Sequence, residues 1–455
     1  MLVATGRDRR AAGKSYTPSQ NSKSARNIAR MTSGPLTFIA EQLLADAKLL
    51  DAYAEANGLD AVDFSKESLS DLPLDMEKTR YSIIDRAQNL RRLAQGPRDL
   101  LFELLNHFTD LANLHFIYHY NVPKHVPPKG DISYADLAAA ICQDEILVRR
   151  MLRVAMMNRL FIETEDGHVS HSAASRILHA EPGAMDSSGF LLEEMFPAAT
   201  KMITALNKYP NSGEPNETGF NIAFDTDRSF YLELEAHPER ARRFGSAMRW
   251  MSQGGRFSNQ HLARGYNWAE LDRPDSVVVD IGGGHGAVSI ALAKETKNIR
   301  FVVQDLPVCA TQGAERLDAA LKDRVTFMPH DFFQTQPVVG ADVYFFRYIL
   351  HNWSDKYAEK ILKAVIPSMK EGSRILCVEF LPGEESTTQW TKKQPYNMDM
   401  IQAIGWNSIE RTGPDWKRLF QTVDTRLQYM GTVTPPGCSV SLIEARLESQ
   451  PNGVH

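Results

Sequence analysis

From Arg273 to about residue 381 the chain alternates between apolar runs of strand length and segments with helical periodicity. The runs are SVVVDIG (276–282), IRFVVQDL (299–306), VTFMPHD (325–331), ADVYFFRYIL (341–350) and RILCVEFL (374–381), and helical stretches such as AVSIALAKET and EKILKAVIPSMK lie between them. Strands joined through helices run parallel, because each crossover returns the chain to the end from which the previous strand started. The expectation is a doubly wound, Rossmann-like α/β domain over 273–450, a parallel sheet with helices on both faces. Such sheets take their ligands at the carboxyl ends of the strands.

The turn after the first strand is DIGGGHG, residues 280–286. Glycines let a backbone approach a ligand closely, and the following helix offers free N–H groups. Gly282, Gly284 and Ala287 also satisfy the degenerate dinucleotide pattern G-x-G-x-x-G/A, with Gly283 between them. Acids at three successive strand ends point elsewhere. Asp280 precedes the glycines, where a carboxylate facing the ligand suits an ammonium group better than a pyrophosphate. Asp305 ends the second strand, in position to accept two ribose hydroxyls. Asp331 ends the third, with Phe332 and Phe333 behind it as an adenine ring would require. Together they fit a nucleoside that bears an amino acid, although strand-end acids also serve as plain helix caps.

Residues 34–215 read as a mostly helical domain. LTFIAEQLLADAKLLDAYAEANG has apolar residues at three- and four-residue spacing and stops at Asn57-Gly58. DLLFELLNHFTDLANLHFIYHY is too rich in Leu and Phe for one apolar stripe, so it is buried within its own chain or shared with a second one. From 132 to 179 the order is helix, helix, hairpin, with the turn at Asp166-Gly167, which is a winged-helix arrangement. Its second helix carries Arg149, Arg150, Arg153 and Arg159 but also a full apolar set, and the wing is acidic, so packing or dimerisation is favoured over DNA. After the joint KYPNSGEPNETG comes an aromatic and Met-rich helical segment, 216–272, readable as core or as the wall of a site for a flat apolar ligand.

A net charge of −5 and a pI near 6.2 provide no basic field for nucleic acid. No apolar run is long enough to span a bilayer, so no membrane partner is expected. Cys142, Cys309, Cys377 and Cys438 are far apart and lack metal-ligand spacing, which fits a reducing cytoplasmic setting without structural zinc. Residues 1–33 are basic and Ser-rich without a secretory apolar core. They read as a disordered extension, with a transit peptide or a start at Met31 as the alternatives.

In order along the chain, DIGGGHG, QDLP, HDFF, FFRYILHNWSD, VEFLP and SIERT resemble the S-adenosylmethionine-dependent O-methyltransferases of the plant caffeate and fungal polyketide type. The resemblance covers about residues 100–445. It implies a class I-like, cation-independent enzyme without a metal, with S-adenosylmethionine as cofactor and a homodimer formed through the winged-helix domain. It also implies that Gly282, Gly283, Gly284, Asp305, Leu306, Asp331, Phe332 and Arg347 line the cofactor. The segment holding Phe220, Phe224, Met248 and Met251, together with Trp353, would cover an aromatic or polyketide substrate. Asn352 stands where plant members carry aspartate and Arg347 where many carry lysine, and Asn-Trp-Ser-Asp resembles the fungal branch.

His351 in RYILHNWSD matches the general base of that family, with Glu379 and Glu410 as its two acids. A phenol with a pKa near ~10 is a poor nucleophile at neutral pH, and a histidine that removes its proton typically contributes ~10²–10⁴-fold. Two other readings stand beside methyl transfer. Some fungal proteins of this fold act as pericyclases or dehydrating catalysts, in which Arg347 and His351 would polarise a carbonyl. A DNA-binding regulator that uses the winged helix is the third.

Overall fold

The computed structural model describes residues 34–59, 63–64, 69, 72–253 and 255–449. The proposed extension at 1–33 lies outside these residues.

Helix α1 (Pro35–Ala56) starts with Pro at its first position and ends at Asn57, followed by Gly58 at φ 62°. It packs along α2 (Leu74–His119), which is two helical lengths rather than one, because Gly96 takes φ 76°, ψ 169° just before Pro97. The second length carries Leu101, Phe102, Leu104, Leu105 and Phe108, all more than half exposed. Of the apolar run read from the sequence, the C-terminal part is buried within the chain at Asn113 and Ile117, whereas none of the described residues covers the part from Leu101 to Phe108.

The winged-helix order is observed. Strand β1 (Asp131–Ile132) leads into α3 (Tyr134–Ala140) and α4 (Glu145–Met157), followed by β2 (Ile162–Glu163) and β3 (Val169–Ser170) in an antiparallel sheet ordered β1-β3-β2. Both helices are capped from the sequence. Ser133 accepts from the Asp136 N–H and Asp144 from the Leu147 N–H. Val148, Leu152 and Ala155 of α4 are buried against Ile117, Leu137 and Val169. Two of its three arginines are engaged within the chain. Arg149 pairs with Glu145 and lies 4.6 Å over the Tyr134 ring, and Arg153 reaches Glu163 of the wing at 3.0 Å.

The aromatic segment folds into α5 (Gly219–Phe224), α6 (Phe230–Ala236) and α7 (Pro238–Met251). Beyond it the main sheet is built from β4 (Val277–Ile281), β5 (Arg300–Asp305), β6 (Val325–Pro329), β7 (Val343–Arg347), β8 (Arg374–Glu379), β9 (Leu427–Val433) and β10 (Ser441–Leu447). Its order is β6-β5-β4-β7-β8-β10-β9. All five strands read from the sequence are present and mutually parallel. The all-parallel expectation needs correction at one edge, where β10 pairs antiparallel with both β8 and β9. Only residues 434–440 separate β9 from β10, too short a connection for a crossover helix, so the pair closes as a hairpin.

Alternate residues of each strand feed opposite faces. Val278, Phe301, Phe345 and Leu376 pack with Trp268 and Leu292 on one side. Val279, Tyr344, Phe346 and Ile375 pack with Leu362, Trp416 and Phe420 on the other. Full burial of each such side chain stabilises the fold by about 1.5–3 kcal/mol. Among the described residues no helix is long and apolar enough to cross a membrane.

Candidate active site

The chain leaves β4 for β5 on one side and reaches β7 on the other, so a crevice opens at the carboxyl end of β4. The glycine turn lies there, with Gly282, Gly284 and Gly286 at φ 71°, 57° and 76°. A Cβ on Gly282 would stand 2.5 Å from Ile349 Cδ1, and one on Gly283 would stand 2.6 Å from Asp280 Cγ. Gly284 has nothing within 4 Å on that side and faces open space.

Asp305, at the end of β5, accepts hydrogen bonds from Gly284 N and Leu306 N, each at 2.8 Å. It therefore ties the turn to the strand beside it, and Leu306 stands half-exposed next to it. Asp280 differs from the sequence expectation in orientation. Its carboxylate is buried beneath the glycines and accepts from Ser289 Oγ at 2.6 Å. Burial pushes its pKa up to about 6, against the pull of the Ser289 bond and the Arg347 charge. Asp331 is exposed and caps the turn at Phe333 N, 3.0 Å away. Phe332 packs between Phe333 and Trp353, with ring centroids 5.1 and 6.0 Å away. Arg347 ends β7, bonded to the Asn259 side chain and to the Phe257 carbonyl, and its Nε is buried without a partner.

Immediately after Arg347 the chain turns sharply, with Tyr348 at φ 56°. A bulky residue in this region costs roughly 1–3 kcal/mol and persists where its surroundings fix it. Here Tyr348 stacks on Phe380 at 5.7 Å. The turn delivers His351, which is buried, into a short 3₁₀ segment (Leu350–Asn352). Glu379, at the end of β8, holds this segment by accepting from Ile349 N at 3.1 Å and Leu350 N at 3.0 Å. His351 Nδ1 lies 2.7 Å from Glu410 Oε1 and 3.7 Å from Glu379 Oε2. Gln402, on α10 (Lys393–Trp406, after α8 at Ala287–Glu295 and α9 at Asp355–Val365), comes within 3.2 Å of the same nitrogen. Nε2 has no hydrogen-bond partner among the described residues.

Burial disfavours a charged imidazole, yet the Glu379 and Glu410 carboxylates outweigh it and raise the pKa of His351 to about 9. Glu379 moves upward too, because it is buried beside a second carboxylate. The three side chains thus form one acid–base group that shares protons. Their ligand atoms lie within 4.8 Å of one another, a spacing that could also hold a metal ion, but both carboxylates already converge on Nδ1.

The cofactor-side residues fit a zwitterionic nucleoside. The open side of Gly284, the Asp305 carboxylate and the orphaned Arg347 Nε stand at the carboxyl ends of the adjacent strands β4, β5 and β7. An O-methyltransferase domain model matches residues 229–424. The chain is 34% identical over 418 residues to chlorophenol O-methyltransferase of Trichoderma longibrachiatum, covering 90% of each chain. The chain belongs to the O-methyltransferase family. Its cofactor is S-adenosylmethionine, and its substrate is a small molecule. A second family member, the grayanic acid biosynthesis cluster O-methyltransferase of Cladonia grayi, is 35% identical over 419 residues, with 91% of this chain and 88% of that one covered. The fold is also similar to a solved structure described as a pericyclic reaction enzyme, at TM-score 0.68 and 24% identity, covering 90% of this chain and 100% of that one.

On the O-methyltransferase's helical side, Phe220 is fully buried in a cluster with Phe190, Phe230 and Trp406, while Phe224, Met248 and Met251 are only partly buried around it. Phe220 therefore supports the wall from behind. Trp353 lies between the sheet edge and the helices, stacked on Tyr231 at 6.4 Å and 26°. Sequence reasoning did not single out Tyr231, Gln402, Asn259 or Trp406. Gln402 had one signal, a polar side chain inside the apolar run MIQAIGW.

Proposed function

We propose that the enzyme methylates a hydroxyl of a phenolic or polyketide-derived metabolite, with His351 as general base. The observation that carries this reading is the short Glu410–His351 contact at Nδ1, which leaves Nε2 free. In this reading Gly282, Gly283, Gly284, Asp305, Leu306, Asp331, Phe332 and Arg347 hold the cofactor, and Asp280 supports the glycine turn from below. Bound there, S-adenosylmethionine supplies an electrophilic methyl group. Nε2 accepts the phenolic proton, and Glu410 and Glu379 stabilise the imidazolium that results. The aromatic and Met wall of Phe224, Met248, Met251 and Trp353, backed by Phe220, excludes water and aligns a flat acceptor. The names of the relatives support phenolic and secondary-metabolite acceptors. A homodimer formed over the bare apolar strip of α2, in a cytoplasmic setting, completes the reading.

One observation favours a second reading. The raised pKa of His351 makes it an imidazolium at neutral pH, able to donate a hydrogen bond to a carbonyl, as a pericyclase or dehydratase requires. Mass spectrometry of polyketide phenols incubated with and without S-adenosylmethionine separates the two. A product gaining one methyl for one hydrogen, formed only with the cofactor, supports methyl transfer. An isomer or dehydrated product formed without cofactor turnover would replace it.

A further inference from the structure

We infer that the Tyr231 hydroxyl donates a hydrogen bond to the substrate, so that the preferred acceptor is a phenol carrying a second, hydrogen-bond-accepting oxygen such as a ketone. The inference rests on the methyl-transfer reading and narrows its substrate class.

Tyr231 follows Phe230 at the start of α6, and consecutive residues on a helix diverge by about 100°. Phe230 is fully buried in the aromatic cluster, within 5.1 Å of both Phe220 and Phe244. Tyr231 consequently turns toward the sheet edge, where its ring stacks on Trp353 and sits 6.4 Å from the Trp406 ring. Two carboxylates act on its phenol through space, Glu379 and Asp305. They end β8 and β5, which flank β4 and β7 in the sheet, and Trp353, on which the Tyr231 ring stacks, packs in turn against Phe332, so Tyr231 stands on the carboxyl side of the sheet within electrostatic reach of both the His351 group and the strand that anchors the glycine turn.

The surroundings leave this hydroxyl a donor in search of an acceptor. Aromatic rings wall it in, yet the residue keeps part of its surface open. The Trp406 indole N–H stands beside the phenol oxygen without reaching full hydrogen-bond geometry and is itself buried and unpartnered. An indole N–H can only donate, so the phenol oxygen is the group it faces and the phenolic proton is left over. Burial, reinforced by Glu379 and Asp305, holds the phenol far above its usual pKa, so it keeps that proton. A protonated donor in an apolar wall discriminates between acceptors, because a ligand that satisfies it gains while one that lacks the oxygen leaves it unpaired.

The test uses the cofactor-loaded enzyme and six phenols: the three isomers of hydroxyacetophenone and the matching ethylphenols, which lack the ketone oxygen. Binding is read by quenching of tryptophan fluorescence, and methylation by kcat/KM. The wild type should favour at least one ketone over its ethyl counterpart by about tenfold in both measures. Y231F should erase that preference by bringing the ketone values down toward those of the ethylphenols, which themselves should not fall, with the thermal midpoint unchanged, and W406F should weaken it. A preference that is absent, or that survives in Y231F, overturns the inference. A ketone preference in binding that Y231F removes, with no methylation of any phenol, would keep Tyr231 as the recognition residue and sink the methyl-transfer reading instead.

Discussion

Strand β7 and the second length of α2 have comparably apolar sequences, VYFFR and DLLFELLNHF, yet they meet opposite fates. Val343, Tyr344, Phe345 and Phe346 are sealed on both faces of the sheet, whereas Phe102 and Leu105 remain 70% and 64% exposed. The sheet edge closes over its own core and so can hold a buried acid–base group in fixed geometry. The helix cannot cover its strip from within the described chain, and its apolar area is available to a second copy. The buried acid–base group and the bare apolar strip thus lie in different regions of the chain.

The sharpest way to break that division is at the sealed edge. His351→Ala should reduce methylation by ~10²–10⁴-fold, with cofactor affinity measured by calorimetry unchanged. Equal activity would remove the base assignment. At the bare strip, the double substitution Phe102→Asp, Leu105→Asp should turn a dimer into a monomer in light scattering, because burying each side chain is worth about 1.5–3 kcal/mol. An unaltered dimer would mean the interface lies elsewhere. Glu379→Ala leaves the Ile349 and Leu350 N–H groups without their acceptor. Urea unfolding should show a loss of about 1–3 kcal/mol for each group left unpaired.

Smaller effects sharpen the comparison. A base must be neutral to act, so kcat/KM for one fixed acceptor should rise with pH and level off only near the His351 pKa of about 9. Glu410→Gln removes one of the two anions that raise that pKa, and the acid limb should move to lower pH. A limb that stays in place would detach Glu410 from the base. Arg153→Ala, which breaks an exposed pair with Glu163 on the wing, should leave both the thermal midpoint and activity essentially unaltered, because solvent screens such a pair.

Much of the fold was legible along the chain. The five parallel strands were marked by apolar runs, and the order helix, helix, hairpin of the winged-helix region by its periodicity and its Asp166-Gly167 turn, because burial is a local demand that repeats at strand or helix spacing. The hairpin of β9 and β10 escaped notice. LQYMGTV lies at the sheet edge and mixes buried with exposed positions, so it lacks a continuous apolar run. At the site, the glycine turn and the strand-end acids could be read from their positions, but not their directions. Asp280 occupies a ligand-facing position in sequence and yet points beneath the turn to Ser289. Phe220 was read as pocket wall and lies in the core behind it.

By itself the sequence determined the alternation of strand and helix, the flexible turn at the first strand end, and the residue types gathered near the carboxyl edge. These follow from local backbone preference and from the period of burial, which neighbouring residues express together. Tertiary structure alone decided which of them meet. His351 and Glu410 are 59 residues apart and touch at 2.7 Å. The Tyr231 ring reaches Trp353 across more than a hundred residues, and an apolar strip on α2 was left bare. Such contacts depend on how whole layers pack, and no periodicity in the chain records the distance between two elements that fold against each other.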